Sequence, residues 1–322
     1  MHTFRTPIQI ESSQQKINIK QQIFSMGSCF SENIGQRLTD SKFDILTNPF
    51  GVLYNPVSIF TLMEASLKRA PLPSNSIVQN EGVFRSLYCH SDISAPTLED
   101  FESLLDQTLS SCKNRLNNAS WLLLTFGSSF VFDHLETGIL AGNCHKIPQK
   151  EFQERMLTLE EIKHAFNRLY PHLPKDCQII LTVSPVRHLR NGLSKNNLSK
   201  SLLRLACEAL SAAYNNVHYF PSYEIMLDDL RDYRFYTSDM IHPSEIAIDY
   251  IWEQFQQTYL DEESKQFLKK WEKLKRAITH RPFNPHTEAH QSFIRNTIKK
   301  LEGIKEVNVE EEIQYMQEQL TP

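Results

Sequence analysis

The chain predicts an α/β protein: a three-layer α/β/α sandwich built on a five-stranded parallel sheet, with a helical extension at its C-terminal end. Three observations predict it. Short β-like runs alternate with amphipathic stretches of ten or more residues, the pattern of repeated βαβ units. Two runs, WLLLTFGSSFVF at 121–132 and CQIILTVSP at 177–185, are apolar without alternation, as strands buried on both faces are. After Leu260 the composition turns to Lys, Glu and Gln, and no strand signal follows.

The elements follow in order. KINIKQQIFSMG ends in an apolar run of strand length, near 22–27. SENIGQRLTDS reads as a helix, with Ile34 and Leu38 on one face. FDILTN gives a short strand near 43–47, and NPFG after it is turn chemistry. NPVSIFTLMEASLKRA is a helix that PLPSNS ends, and LEDFESLLDQTLSSCKNRLNN is a second, with Phe101, Leu104, Leu105 and Leu109 on one side. The strand near 120–127 comes next, followed by DHLETGILAGNCHKIP, an irregular excursion or β-ribbon. A helix over about 159–169, a strand near 177–183, a helix in NLSKSLLRLACEALSAAYNN and a strand near 216–220 continue the alternation. SEIAIDYIWEQFQQTYL, 244–260, closes it as an amphipathic helix. The chain therefore divides into a domain over 1–260 and a helical extension over 261–322. Mixed charge in the extension marks solvated helix faces packed on the domain, and its composition also raises a partner-binding role or self-association into a homo-oligomer.

With 322 residues, 40% hydrophobic and 22% charged, the composition suits a soluble globular protein. A net charge of −4 lacks the basic footprint of a nucleic-acid binder. No apolar stretch approaches the roughly 18–20 residues that span a bilayer, so no membrane partner is expected. The N-terminus has no apolar signal region, which predicts a cytoplasmic location. The six scattered cysteines contain no CxxC pair and read as reduced thiols.

In a parallel sheet the ligand crevice lies at the carboxyl ends of the strands. Those ends carry Gly27-Ser28-Cys29, Asn48-Pro49-Phe50-Gly51, Gly127-Ser128-Ser129 and Ser184-Pro185-Val186-Arg187-His188, with YTSDMIHPSE (236–245) beyond the fifth strand. The sharpest constellation is Ser28 with Asp239 and His242. A serine hydroxyl needs an imidazole to take its proton and a carboxylate to hold that imidazole in the right tautomer. Asp-x-x-His supplies both, and Pro243 fits the first turn of the following helix. The plainer reading makes Asp239 a turn residue and His242 a partly buried side chain. The opening motif is not the G-x-S-x-G elbow. Ser28 instead lies in a strand-to-helix turn, where its own N–H and that of Gly51 are available to an oxyanion. Cys29 would need a depressed pKa to act as nucleophile, and two adjacent turn residues do not both face one imidazole.

GSCFSENIG (27–35), NPFGVLYNPVSI (48–59), GNCHKIP (142–148), TVSPVRH (182–188), YFPSYEI (219–225) and RDYRFYTSDMIHPSE (231–245) together resemble the GSCFA family, within the SGNH (GDSL-like) hydrolase superfamily. The resemblance covers about 20–260. It implies a flavodoxin-like fold and a serine ester hydrolase lineage, with Ser28 as nucleophile, His242 as base and Asp239 as its orienter. It also implies an oxyanion hole completed by a second-block glycine, a place Gly51 can take, and a third-block asparagine. Gly127-Ser128-Ser129 stands where that asparagine is expected, leaving Ser129, or Asn143 from the excursion, as substitutes. Asn143 and His145 enter as pocket residues through the resemblance alone.

Arg187 faces the predicted crevice, where its planar fork suits a substrate carboxylate or phosphate; the alternative is a structural ion pair. His188 reads as structural. Cys89-His90 and Cys144-His145 make poor metal sites, because neighbours in an extended segment point to opposite faces. No metal and no cofactor is expected. The reading is an esterase or deacylase acting on an O-acyl ester of a small molecule or glycan. Its alternatives are an O-acyltransferase using the same three residues, and a non-catalytic binding protein on the same fold.

Overall fold

The computed structural model describes residues 5–284 and 286–320. The strands, in chain order, are β1 (Gln22–Gly27), β2 (Asp44–Thr47), β3 (Ile77–Asn80), β4 (Val83–Ser86), β5 (Ser94–Ala95), β6 (Trp121–Phe126), β7 (Phe130–His134), β8 (Leu140–Ala141), β9 (Phe152–Met156), β10 (Gln178–Val183) and β11 (Val217–Phe220). Five of them form the central sheet in the order β11-β10-β6-β1-β2. Every pair in it is parallel, with Ile23 beside Trp121 and Ile45, and Leu122 beside Ile179.

Alternate residues of these strands feed two cores. Phe24, Met26, Leu122, Leu124, Ile179 and Leu181 face one side, where α2 (Pro56–Lys68), α3 (Leu98–Asn118), α4 (Leu159–Leu169) and α5 (Gly192–Ala213) pack. Ile23, Trp121, Leu123 and Ile180 face the other, against α1 (Cys29–Asp40) and α7 (Glu245–Tyr259). Between β11 and α7, a short helix α6 (Ser222–Glu224) runs into a π-helical turn, Ile225–Leu230. The result is the expected three-layer arrangement.

Helix starts follow local chemistry. Asn55, Thr97 and Thr158 each cap a helix by accepting a backbone N–H through the side chain, and Thr158 with Glu161 forms a complete capping box. The 121–132 run does not remain one strand. It breaks at Gly127, and Phe130–His134 joins a separate antiparallel sheet ordered β8-β7-β9, the ribbon expected of the excursion. A second small sheet, β3-β4-β5, has no counterpart in the sequence reading; its hairpin turns at Glu81-Gly82, both at positive φ, as a tight two-residue hairpin loop requires.

The C-terminal helices α8 (Glu262–Ile278), α9 (Glu288–Glu302) and α10 (Glu310–Gln317) pack on the domain. Phe267, Trp271, Leu274, Ile294, Leu301 and Met316 share one core with Phe30, Ile34, Leu38 and Phe43. The Trp271 indole N–H donates to Asp40 O at 2.7 Å, and Lys275 pairs with the Asp40 carboxylate at 2.6 Å. No helix among the described residues is long and apolar enough to cross a membrane.

Candidate functional site

Because the central strands run one way, their carboxyl ends share one edge, and the loops leaving it bring Ser28, 48–54, 127–129 and 184–188 together. At Gly27 a side chain is excluded: a Cβ there would stand 2.2 Å from Thr125 O. The glycine lets β1 lie tight against β6 before the chain turns into α1. Ser28 occupies the N-cap of α1 in extended conformation, and its carbonyl accepts from Ser31 N at 2.7 Å. Its hydroxyl makes no capping bond, is fully buried, and has no hydrogen-bond partner. A serine at this position ordinarily caps, and an unpaired buried hydroxyl costs about 1–3 kcal/mol. The fold holds this one out of its own bonding.

A strap over 51–54 crosses the ends of β1 and β6. Leu53 N donates to Gly27 O at 2.9 Å, while Tyr54 O accepts from Gly127 N at 2.7 Å and Ser128 N at 3.0 Å.

The amides expected to be available to an oxyanion are both engaged. Ser28 N donates to Thr125 O at 3.1 Å, continuing the β1–β6 ladder one residue past the strand, and Gly51 N closes its own turn onto Asn48 O at 2.8 Å. Ser129 is no substitute donor, since it is buried and both its N–H and its hydroxyl are bonded to Ser199 Oγ, at 2.8 and 3.0 Å. Asn143 Oδ1 accepts from His145 N at 2.9 Å, which holds the side chain within the excursion. His145 is buried away from the site, with Nε2 donating to Ser86 O at 2.8 Å and Nδ1 at 3.0 Å from Ser91 Oγ. It ties the 86–91 loop to the excursion.

Asp239 and His242 do form a pair. Asp239 Oδ2 lies 2.7 Å from His242 Nδ1, so the ionised carboxylate fixes the hydrogen on Nδ1 and leaves Nε2 as the basic nitrogen. Asp239 Oδ1 accepts from Thr237 Oγ1, Ile241 N and His242 N at 2.6, 2.8 and 3.0 Å. The Thr237 hydroxyl first, then His242 and the backbone amides, hold this carboxyl far below the usual range. Pro243 is not in the helix. Ser244 caps α7, and the loop is closed by Thr237 N onto His242 O and Ser244 N onto Phe235 O.

Arg187 serves that loop and not a ligand. Its guanidinium lies over the rings of Tyr236 and Tyr233, at 4.0 and 5.2 Å, and Nη1 reaches Met240 O at 3.4 Å. Its own N–H donates to Ile241 O at 3.2 Å. The Asp239–His242 segment is thereby pinned to the end of β10.

Sequence reasoning undervalued three residues. His188 packs edge-on against Tyr54, with ring centroids 5.2 Å apart, and its Nε2 is buried without a partner. Burial first, then Lys200 and His242, bring its pKa down to about 4. Lys200 is fully buried, donating to Gly127 O at 2.7 Å and Ser184 O at 2.8 Å, with burial bringing its pKa to about 7. The signal was present: Lys200 sits on the same stripe of α5 as Leu203, Cys207 and Leu210. Asn48 is the third, its Oδ1 accepting from Gly27 N at 2.8 Å and its Nδ2 buried without a partner. A cavity of about 230 Å³ opens on this edge, lined by Tyr54, Ser128, Phe130, Phe132, His188 and Arg190. Cys29 lines a different depression, and burial pushes its thiol pKa up, away from the thiolate a nucleophile needs. Among the described residues no group of three or more His, Cys, Asp and Glu could hold a metal ion.

The profile of the GSCFA family matches residues 22–255, which takes in the whole central sheet and every loop of this edge. The chain belongs to the GSCFA family. A second profile, the GSCFA domain protein C-terminal domain, matches 271–322, so the helices after Leu260 carry a family signature of their own although none of the quoted motifs reaches them. No curated protein and no solved structure gives a significant match.

Proposed function

We propose that this GSCFA protein is a serine ester hydrolase of SGNH type. The observation that carries the reading is the Ser28 hydroxyl: buried, uncapped and unpartnered, on the same strand edge as the bonded Asp239–His242 pair. An O-acyl ester enters from the 230 Å³ cavity that Tyr54 and His188 line. Ser28 Oγ attacks the carbonyl carbon while His242 Nε2 takes its proton, and Asp239 stabilises the imidazolium. The tetrahedral intermediate collapses, His242 protonates the departing alcohol, and an acyl group remains on Ser28. Water, deprotonated by His242, then releases the acid and restores the serine. A glycan ester as substrate rests on superfamily analogy, since a fold does not set a substrate.

The test is labelling with a fluorophosphonate, which phosphonylates activated serines. The wild type is expected to label at Ser28, Cys29→Ala to label equally, and Ser28→Ala not at all. A wild type that stays unlabelled where a known serine esterase reacts fully would sink the reading.

A further inference from the structure

A second cavity, of about 420 Å³, lies between α8, α9 and the turn that follows α9. It shares no lining residue with the strand-edge cavity, and its size falls in the range of about 300–1,000 Å³ usual for small-ligand pockets. Its floor is apolar: Phe267 and Leu274 are buried, Phe293 and Ile304 half-buried. The Thr297 hydroxyl, which also lines it, donates to Phe293 O at 2.9 Å within its own helix. The rim is basic. Lys270 and Lys273 come from α8, and Lys299 and Lys300 from the last turn of α9. We infer that this cavity binds a fatty acid, with the alkyl chain on the apolar floor and the carboxylate among the four lysines. The inference is independent of the hydrolase reading.

The charges argue for an anionic head. All four lysines are exposed, and among the described residues none has a carboxylate within salt-bridge distance. One carboxylate, Glu306, lines the cavity with them, and its side chain accepts from Lys305 N at 2.9 Å. Lys299 and Lys300 complement the carboxyl end of α9, but Lys270 and Lys273 sit in the middle of α8, where a helix terminus gives no reason for a positive charge. The floor argues for a single apolar chain. Lysine stems extend its apolar wall while their ammonium groups stay in water, where a carboxylate can meet them. Phe267 and Leu274 expose only 2% and 8% of their surface, so the apolar floor is recessed. A bilayer is met by apolar side chains that project; a recess is reached by a chain that enters it. A polyanion would engage the lysines and leave the floor uncovered.

The experiment titrates the full chain calorimetrically with decanoate, octanoate and 1-decanol. Decanoate is expected to bind one to one, and octanoate, shorter by two methylenes, to bind about 15-fold more weakly. A variant carrying both Lys299→Gln and Lys300→Gln should bind decanoate about 2–30-fold more weakly and 1-decanol unchanged. Ala277→Trp fills the cavity from α8 and should abolish binding of both. Thermal unfolding confirms that each variant folds, and should Ala277→Trp fail to, the lysine variant decides alone. Absence of one-to-one decanoate binding overturns the inference. So does decanoate binding that survives in folded Ala277→Trp, which places the ligand elsewhere, the strand-edge cavity included. A lysine variant that binds decanoate as the wild type does removes the carboxylate from this rim and overturns it too. Sedimentation with phosphatidylglycerol vesicles in the absence of decanoate binding would make this face a membrane-docking surface instead. Each result stands whether or not Ser28 reacts with a fluorophosphonate.

Discussion

Replacing Lys200 by Met tests what a buried ammonium does beneath this site. The side chain donates to two carbonyls, Gly127 O and Ser184 O, and lies near the face of Tyr223. Burial brings its pKa from 10.5 to about 7, so the folded protein binds that proton more weakly than the unfolded chain does. Stability must therefore rise as pH climbs from about 7 towards 10.5, where the unfolded chain still holds a proton that the folded one has released. The buried thiols of Cys89, Cys112 and Cys177, pushed up to about 12, act oppositely once unfolded thiols ionise near 9. The clean window is thus about pH 7 to 8.5, over which Lys200 adds about 1.5–2 kcal/mol. At pH 7 the substitution relieves a protonation penalty of about 4 kcal/mol. It also orphans two carbonyls at about 1–3 kcal/mol each. These nearly cancel, so the informative quantity is the slope and not the absolute stability. Urea unfolding followed by circular dichroism, at both ends of the window, should show wild-type stability rising by that increment relative to Lys200→Met. Parallel pH dependences in the two proteins would refute the reasoning.

Three further outcomes are expected. Asp239→Asn removes the carboxylate that holds His242 Nδ1–H, and should cut kcat on p-nitrophenyl acetate by roughly 10³–10⁴ with little change in melting temperature. Acidification should destabilise the wild type: His188, with a folded pKa near 4, resists the protonation that the unfolded chain accepts near 6.5, a loss of about 2 kcal/mol by pH 5 that His188→Phe should not show in urea titrations. Trp271→Ala empties a buried site between α8 and α1 and breaks the bond to Asp40 O, so chemical denaturation should report a loss of about 3–5 kcal/mol.

The fold was legible because burial leaves a linear trace. Strands covered on both faces must be continuously apolar, and the runs at 121–126 and 178–183 lie where their letters place them. The break at Gly127 was harder to read, since Phe130 to Phe132 is equally apolar and only the third dimension assigns it to another sheet. The Asp239–His242 contact was legible because the two residues are close enough in sequence for it to be local. The engagement of the Ser28 and Gly51 amides was not legible. Whether the N–H of Ser28 is free depends on Thr125, nearly a hundred positions away, and whether Gly51 offers its own depends on how its turn closes. His188 shows no anomaly in sequence, because its unusual feature is an unpaired nitrogen. Lys200 did leave a trace, a charge on an apolar stripe, which pattern reading tends to pass over as a tolerated exception.

The two cores also differ in when they can be completed. The face covered by α2 to α5 draws its buried residues from 24 to 217. The opposite core also takes in Ile294, Leu301 and Met316, which share it with Phe30, Ile34 and Leu38. Read from the N-terminus at about 5–20 residues per second, the residues after Leu260 arrive several seconds after the central sheet has been made. During that interval α1 and α7 can cover the sheet, but the outer part of this core, which the last helices complete, lies open to solvent or to another nascent chain. Slower synthesis of the last helices should therefore lower the soluble yield of this protein, even though the proposed catalytic residues were all made before them.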